Sequence, residues 1–129
     1  MILAFLFIIL VHWFSDFVLQ THHMSTRKSS SNYYLTMHVV VYTFTTIFAW
    51  ALVLPLLGIQ LFSGTVWLAF LVIFVTHWVT DYFTSRRTSK LYKEEKYHDF
   101  FVVVGFDQVL HYVQLFLVLN YIKIGRAHV

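Results

Sequence analysis

The chain has 129 residues, enough for one domain, and is 59% hydrophobic with only 12% charged residues, far below the roughly 25% usual in soluble domains. Between Ser29 and Thr80 there is no Asp, Glu, Lys or Arg, which excludes a soluble fold with an ordinary charged surface. The net charge of +3 does not signify a nucleic-acid partner, because the basic residues gather in connections rather than in a patch with reader side chains, and the lack of cysteine excludes disulfides and thiolate metal ligands.

Four apolar stretches follow one another, each near the roughly 20 residues that cross a hydrocarbon core as a helix. They run over Ile2–Gln20, Tyr33–Pro55, Thr65–Thr84 and Phe100–Tyr121. The first lacks a basic residue before it and a small-residue cleavage site after it, so it reads as part of the mature chain rather than a signal peptide. Its connection to the second is THHMSTRKSSSN; the next connection, LLGIQLFSG, is uncharged, and the last is SRRTSKLYKEEKYHD. Excess Lys and Arg mark cytoplasmic connections, which predicts an all-α, four-transmembrane-helix bundle in the cell inner membrane with both termini outside. Trp50 and Trp67 then fall near the outer interface. Residues 1–123 are expected to form a single integral-membrane domain. The closing IGRAHV, residues 124–129, resembles translated sequencing-adapter read-through and is expected to be non-native, so Arg126 and His128 carry no functional argument.

Three of the six acidic residues, Asp16, Asp81 and Asp107, lie inside predicted spans. An aspartate near the centre of a membrane helix costs about 2.5–3.5 kcal/mol, so something must compensate. Each has a histidine four residues away, in the pairs His12 and Asp16, His77 and Asp81, and Asp107 and His111, a spacing that puts both side chains on one helix face. At about 1.5 Å of rise per residue, these groups and His38 lie about 5–16 Å from the cytoplasmic ends of their spans, at overlapping levels. The segments VHWFSDF and THWVTDY match in register, which predicts a duplicated two-helix hairpin with the first and third spans parallel and facing each other across a pseudo-twofold axis.

Around this set, Gln20, Tyr42 and Gln108 are expected to orient the ligands. Trp13 and Trp78 are expected to pack rather than ligate, since indole only donates. His22, His23 and His98 fall in connections, the first two near the cytoplasmic mouth, and Gly105 is expected to admit a neighbouring helix close to Asp107. No HExxH, GxSxG or glycine-rich phosphate loop is present.

HWFSDFVLQTHHM, the isolated His38, HWVTDY and DQVLH at Asp107 to His111 together resemble an uncharacterised family of small bacterial and phage integral-membrane proteins, domain of unknown function 3307. The resemblance spans Met1 to Tyr121. It implies membrane location and a shared polar motif without naming a reaction. The His/Asp pattern in helices is also similar to that of small integral-membrane metal-dependent hydrolases.

The leading expectation is a divalent metal, zinc first, held in the cytoplasmic half by His12, Asp16, His77, Asp81, Asp107 and His111. His38 and Asp107 are the candidate catalytic residues, with His38 either a further ligand or an acid/base. Seven candidates exceed one zinc's four ligands, so two metals bind or some residues act as orienters. Two rivals stand beside a hydrolase: transport of a metal ion or proton, and a non-enzymatic phage or host membrane factor with a purely structural polar core. The lipid bilayer is the expected partner, a substrate is not identified, no nucleic acid is expected, and self-association is left open.

Overall fold

The computed structural model describes residues 2–126, with side chains to residue 124. Its helices are α1, Ile2–Trp13, continued by a π-helical turn over Phe14–Val18; α2, His22–Arg27; α3, Asn32–Val53; α4, Gly64–Lys93; and α5, Tyr97–Arg126. No strand occurs among the described residues. Ala127 to Val129, including His128, lie outside them, and the segment expected to be a non-native tail begins inside α5.

α1 packs beside α3, α3 beside α4 and α4 beside α5, and α5 closes the ring on α1 through the sparsest of these contacts. α1 and α4 therefore stand diagonally across the ring, and His77 of α4 lies 3.4 Å from Asp16 after α1. Asn32–Val53, Gly64–Lys93 and Tyr97–Ile124 are long and apolar enough to cross a membrane, and Ile2–Val18 forms a shorter apolar helix. Leu6, Phe44, Phe48, Val79, Phe106 and Leu117 point outward and are exposed, while histidines and aspartates are buried. Apolar outside with polar inside reverses the soluble pattern and suits a hydrocarbon surround.

The interior has two layers. At the end carrying the uncharged connection, Trp50, Leu54, Ile59, Val66, Phe70, Leu119 and Ile122 form an apolar core, and at the other end the interior is polar. Trp50 is fully buried in that core with an unpaired Nε1, so it is not the interfacial residue expected from sequence; of that pair, Trp67 alone is exposed. Indole position follows packing against Phe70, at a centroid distance of 5.8 Å, rather than depth alone.

Two connections differ from expectation. Within the first, Thr21 caps α2 by accepting from the Met24 amide at 3.2 Å. The last is helical except at Glu94–Lys96, because charge marks a bilayer boundary without breaking a helix. Arg86 lies 3.6 Å over the Tyr82 ring and donates to Asn32 Oδ1 at 2.8 Å, tying the extended α4 to the start of α3. α4 stops at Glu95, whose φ of 58° is left-handed, with the Lys96 amide bonded to Leu91 O at 3.0 Å. Lys96, 2.8 Å from Glu94, holds that carboxyl below its ordinary value by hydrogen bond and charge.

Gly105 is exposed, and a Cβ there would meet nothing within 4 Å, so it does not admit a neighbouring helix. Because glycine inside a helix costs about 0.5–1 kcal/mol relative to alanine, Gly105→Ala is expected to raise stability by about that amount in a detergent unfolding titration.

Candidate metal centre

The polar layer is assembled from all four long helices. Asp16 sits in the π-helical turn after α1, where Leu19 N bonds to Phe14 O at 3.0 Å, a widened turn of the kind frequently found at functional sites. α3 contributes His38 and Tyr42, α4 contributes His77 and Asp81, and α5 contributes Asp107, Gln108 and His111.

At the centre are one donor atom each from Asp16, His38, His77 and Asp81, all four residues buried and the atoms mutually within 4.8 Å. His38 Nε2 lies 3.0 Å from Asp16 Oδ1 and 3.3 Å from Asp81 Oδ2. His77 Nε2 lies 3.4 Å from Asp16 Oδ1, 3.8 Å from Asp81 Oδ2 and 3.4 Å from His38 Nε2. Zinc bonds of about 2.0–2.2 Å to nitrogen and oxygen give tetrahedral ligand separations of about 3.3–3.6 Å, and the observed distances scatter about that range. Two imidazole nitrogens facing each other and two carboxylate oxygens are a donor set suited to zinc.

The flanking groups hold this set in place. Tyr42 stacks on His77 at 3.9 Å and His77 on His111 at 4.2 Å, fixing the imidazole planes. His12 Nε2 meets the acceptor Gln108 Oε1 at 3.1 Å, so it carries the proton, and Nδ1 accepts from the Tyr42 hydroxyl at 2.9 Å. The Gln108 amide then donates to Asp16 Oδ2 at 3.2 Å and Asp107 Oδ2 at 3.1 Å. This chain occupies the far oxygen of Asp16 and leaves Oδ1 toward the centre.

Of the expected ligands, Asp16, His77 and Asp81 thus join His38 in one set, and His38 stands as a donor atom there. His12 and His111 form a second group with Asp16, and Asp107 and His111 a third with Asp81. His111 is buried with neither ring nitrogen in a hydrogen bond, although Asp81 Oδ1 is 3.5 Å and Asp107 Oδ2 3.4 Å away. Of the residues expected to orient ligands, Tyr42 and Gln108 contact His12, His77, Asp16 and Asp107, whereas Gln20 has no hydrogen bond to them and its Oε1 is buried without a partner. Trp13 faces outward and Trp78 donates to Thr36 Oγ1 at 3.1 Å. His22, His23 and His98 are exposed.

Sequence reasoning missed Lys28, which it assigned to topology. Its Nζ reaches Asp81 Oδ2 at 2.9 Å, with the side chain only 17% exposed. Burial works to lower the Lys28 pKa, but the Asp81 and Asp16 carboxylates outweigh it and hold it above the ordinary lysine value. Three buried or half-buried carboxylates require a cation, and a lysine just outside a span can turn its long stem inward; that charge count was the available signal. Thr84 was also missed: it donates to Asp107 Oδ1 at 2.6 Å.

A cavity of about 440 Å³ reaches the Asp16, Asp81 and Asp107 carboxylates from the end carrying Lys28 and Lys93. A family model described as "Protein of unknown function (DUF3307)" matches residues 3–129. No curated protein and no solved structure matches the chain. The chain therefore belongs to that family of unknown function.

Proposed function

We propose that this member of the family is a four-span inner-membrane protein that holds a divalent metal, with zinc the first candidate, and uses it to hydrolyse a lipid-like or membrane-inserted substrate. The spacing of the four central donor atoms, 3.0–3.8 Å between the measured pairs, carries the reading. Charge supports it. With neutral imidazoles, Asp16, Asp81 and Asp107 against Lys28 leave two negative charges in a low-dielectric interior, and one divalent ion or two protons restores balance.

Asp16, His38, His77 and Asp81 would hold a zinc ion, which would supply a Lewis acid and lower the pKa of a water there to about 7. Asp107 is the proposed base: it lines the cavity, with Thr84 and Gln108 fixing its oxygens. Asp107 would take a proton from the attacking water as the water oxygen bonds to the electrophilic atom of the substrate, and would hand that proton to the departing group as its bond breaks. The remaining candidates, His12 and His111, orient the ligands. The first span, at 17 residues, sits at the short end of the roughly 17–25 that cross a bilayer. The basic ends of α2 and α4 are placed in the cytoplasm by the excess of Lys and Arg, with both termini outside.

Transport fits less well. The cavity opens toward the basic end, and the opposite end of the bundle is filled by Trp50, Leu54, Phe70 and Leu119. Elemental analysis of protein purified in detergent without added metal is expected to give close to one zinc per chain. A folded, metal-free protein that also takes up no zinc on titration would return the core to a structural role.

A further inference from the structure

The cavity above the carboxylates has walls that the metal reading does not use. Along α4, Ser85, Thr88, Ser89 and Lys93 face it, α2 adds Ser25 and Thr26, and Phe17, Phe100 and Val104 form an apolar side. Several hydroxyls in the spans satisfy themselves: Ser15, Thr45 and Thr46 donate to the carbonyl four residues earlier, whereas Thr43 Oγ1, away from the cavity, has no partner. Ser85, in the cavity wall, has none either. It is 8% exposed, and its Oγ is buried without a hydrogen-bond partner. An orphaned hydroxyl in a cavity wall is a place for a ligand atom.

The chemistry of the walls selects that ligand. Ser25, Thr26 and Thr88 already donate to backbone carbonyls, while the Ser85 hydroxyl can donate and the Lys93 ammonium only donates, so the partner must offer more than one acceptor. The volume of about 440 Å³ fits a small ligand rather than a single ion. Ser85 and Lys93 lie on α4 beside the metal position, and a phosphoryl group can offer separate oxygens to them and to the ion. The floor of three carboxylates repels any anion until a divalent ion neutralises it. The apolar side is formed from the π-helical turn and α5, next to the α1–α5 seam where the ring is least tightly packed.

We propose that this vestibule binds a phosphoryl anion between the metal position and the Ser85 hydroxyl and Lys93 ammonium, and that it does so only with a divalent ion in place. The inference rests on the metal reading and names the substrate class for it, a phosphoryl-bearing molecule. The apolar side favours one that is membrane-borne.

The test uses the full chain in phosphatidylcholine nanodiscs, with Mn²⁺ as a paramagnetic stand-in for the native ion. Two probes are offered separately, phosphatidic acid in the bilayer and inorganic phosphate in solution, and the ³¹P linewidth of each is followed. Saturable broadening is expected, with affinity about tenfold weaker in the Ser85→Ala/Lys93→Met double variant and Mn²⁺ stoichiometry unchanged. Broadening of phosphatidic acid assigns the site to a lipid headgroup, and broadening of inorganic phosphate alone assigns it to free phosphate; either supports a phosphoryl site. If Mn²⁺ binds stoichiometrically and neither resonance broadens, or the double variant broadens them equally, the phosphoryl assignment is overturned and the metal centre stands. If no Mn²⁺ binds, both readings fall together.

Discussion

Replacing Asp81 by asparagine is expected to weaken zinc binding by more than about 100-fold while the helical bundle stays folded in detergent. Asp81 faces four cationic or cation-forming side chains in the polar layer. Lys28 lies 2.9 Å away, His38 3.3 Å, His111 3.5 Å and His77 3.8 Å. Losing a residue that only orients a ligand costs about 10–100-fold in metal affinity, so losing a donor that completes the set should cost more. The fold should survive because the change relieves charge: with neutral imidazoles, the three aspartates and Lys28 drop from two excess negative charges to one. The asparagine carbonyl still accepts from Lys28. A core whose His and Asp groups merely glue helices together would respond the other way, by losing helix association with no ion to lose. Zinc titration by calorimetry, with circular dichroism on the same sample, separates the two. Unchanged zinc affinity, or unfolding without an affinity defect in the folded fraction, would sink the metal reading.

Much of the centre could be read before any coordinates, because membrane burial makes ionisable residues conspicuous. His12, Asp16, His77, Asp81, Asp107 and His111 were found by the cost of their position and by four-residue spacing, and His38 by depth. Periodicity within one helix says which residues share a face but not which donor atoms meet across helices. The choice of Asp16, His38, His77 and Asp81 as the central set is a matter of rotamers and of the π-helical turn at Phe14–Val18. Nothing in FSDFV announces that turn. Lys28 was hidden for a different reason: a flexible side chain at a span boundary can face either the aqueous phase or the bundle, and only the charge of its neighbours decides. Trp50 and Gly105 show the limit of position-based rules, since one was assigned by depth and the other by size, whereas packing determines both.

The two layers of the interior explain how so polar a centre is tolerated. The apolar core of Trp50, Leu54, Ile59, Val66, Phe70, Leu119 and Ile122 joins the helix ends around the uncharged connection. Tyr42 links the layers, belonging to that core while its hydroxyl reaches His12 at 2.9 Å. Such a division lets the polar half open toward the cavity without loosening the bundle at its other end. It also means that metal binding can be lost while the bundle stays folded, as expected for Asp81→Asn.

Replacing Lys28 by methionine is expected to make the fold depend on metal. The wild-type protein without metal holds three carboxylates against one ammonium; removing the ammonium leaves Asp81 with histidines and other carboxylates as its only near neighbours. Breaking a buried ion pair from one side costs about 3–5 kcal/mol, and since the Lys28 side chain is 17% exposed the lower end of that range or somewhat less applies. A divalent ion at the four donor atoms neutralises the same carboxylates and should recover most of the loss. A ligand that binds only the folded state stabilises it by about 2.7 kcal/mol at 100 times its dissociation constant. The measurement is a detergent unfolding titration of wild type and Lys28→Met, each with chelator and with excess zinc. A large chelator-dependent drop in the variant, nearly abolished by zinc, is the expected pattern. If the variant is destabilised equally with and without zinc, Lys28 acts as a strut rather than as a counter-charge, and the balance of three carboxylates, one ammonium and one divalent ion is wrong.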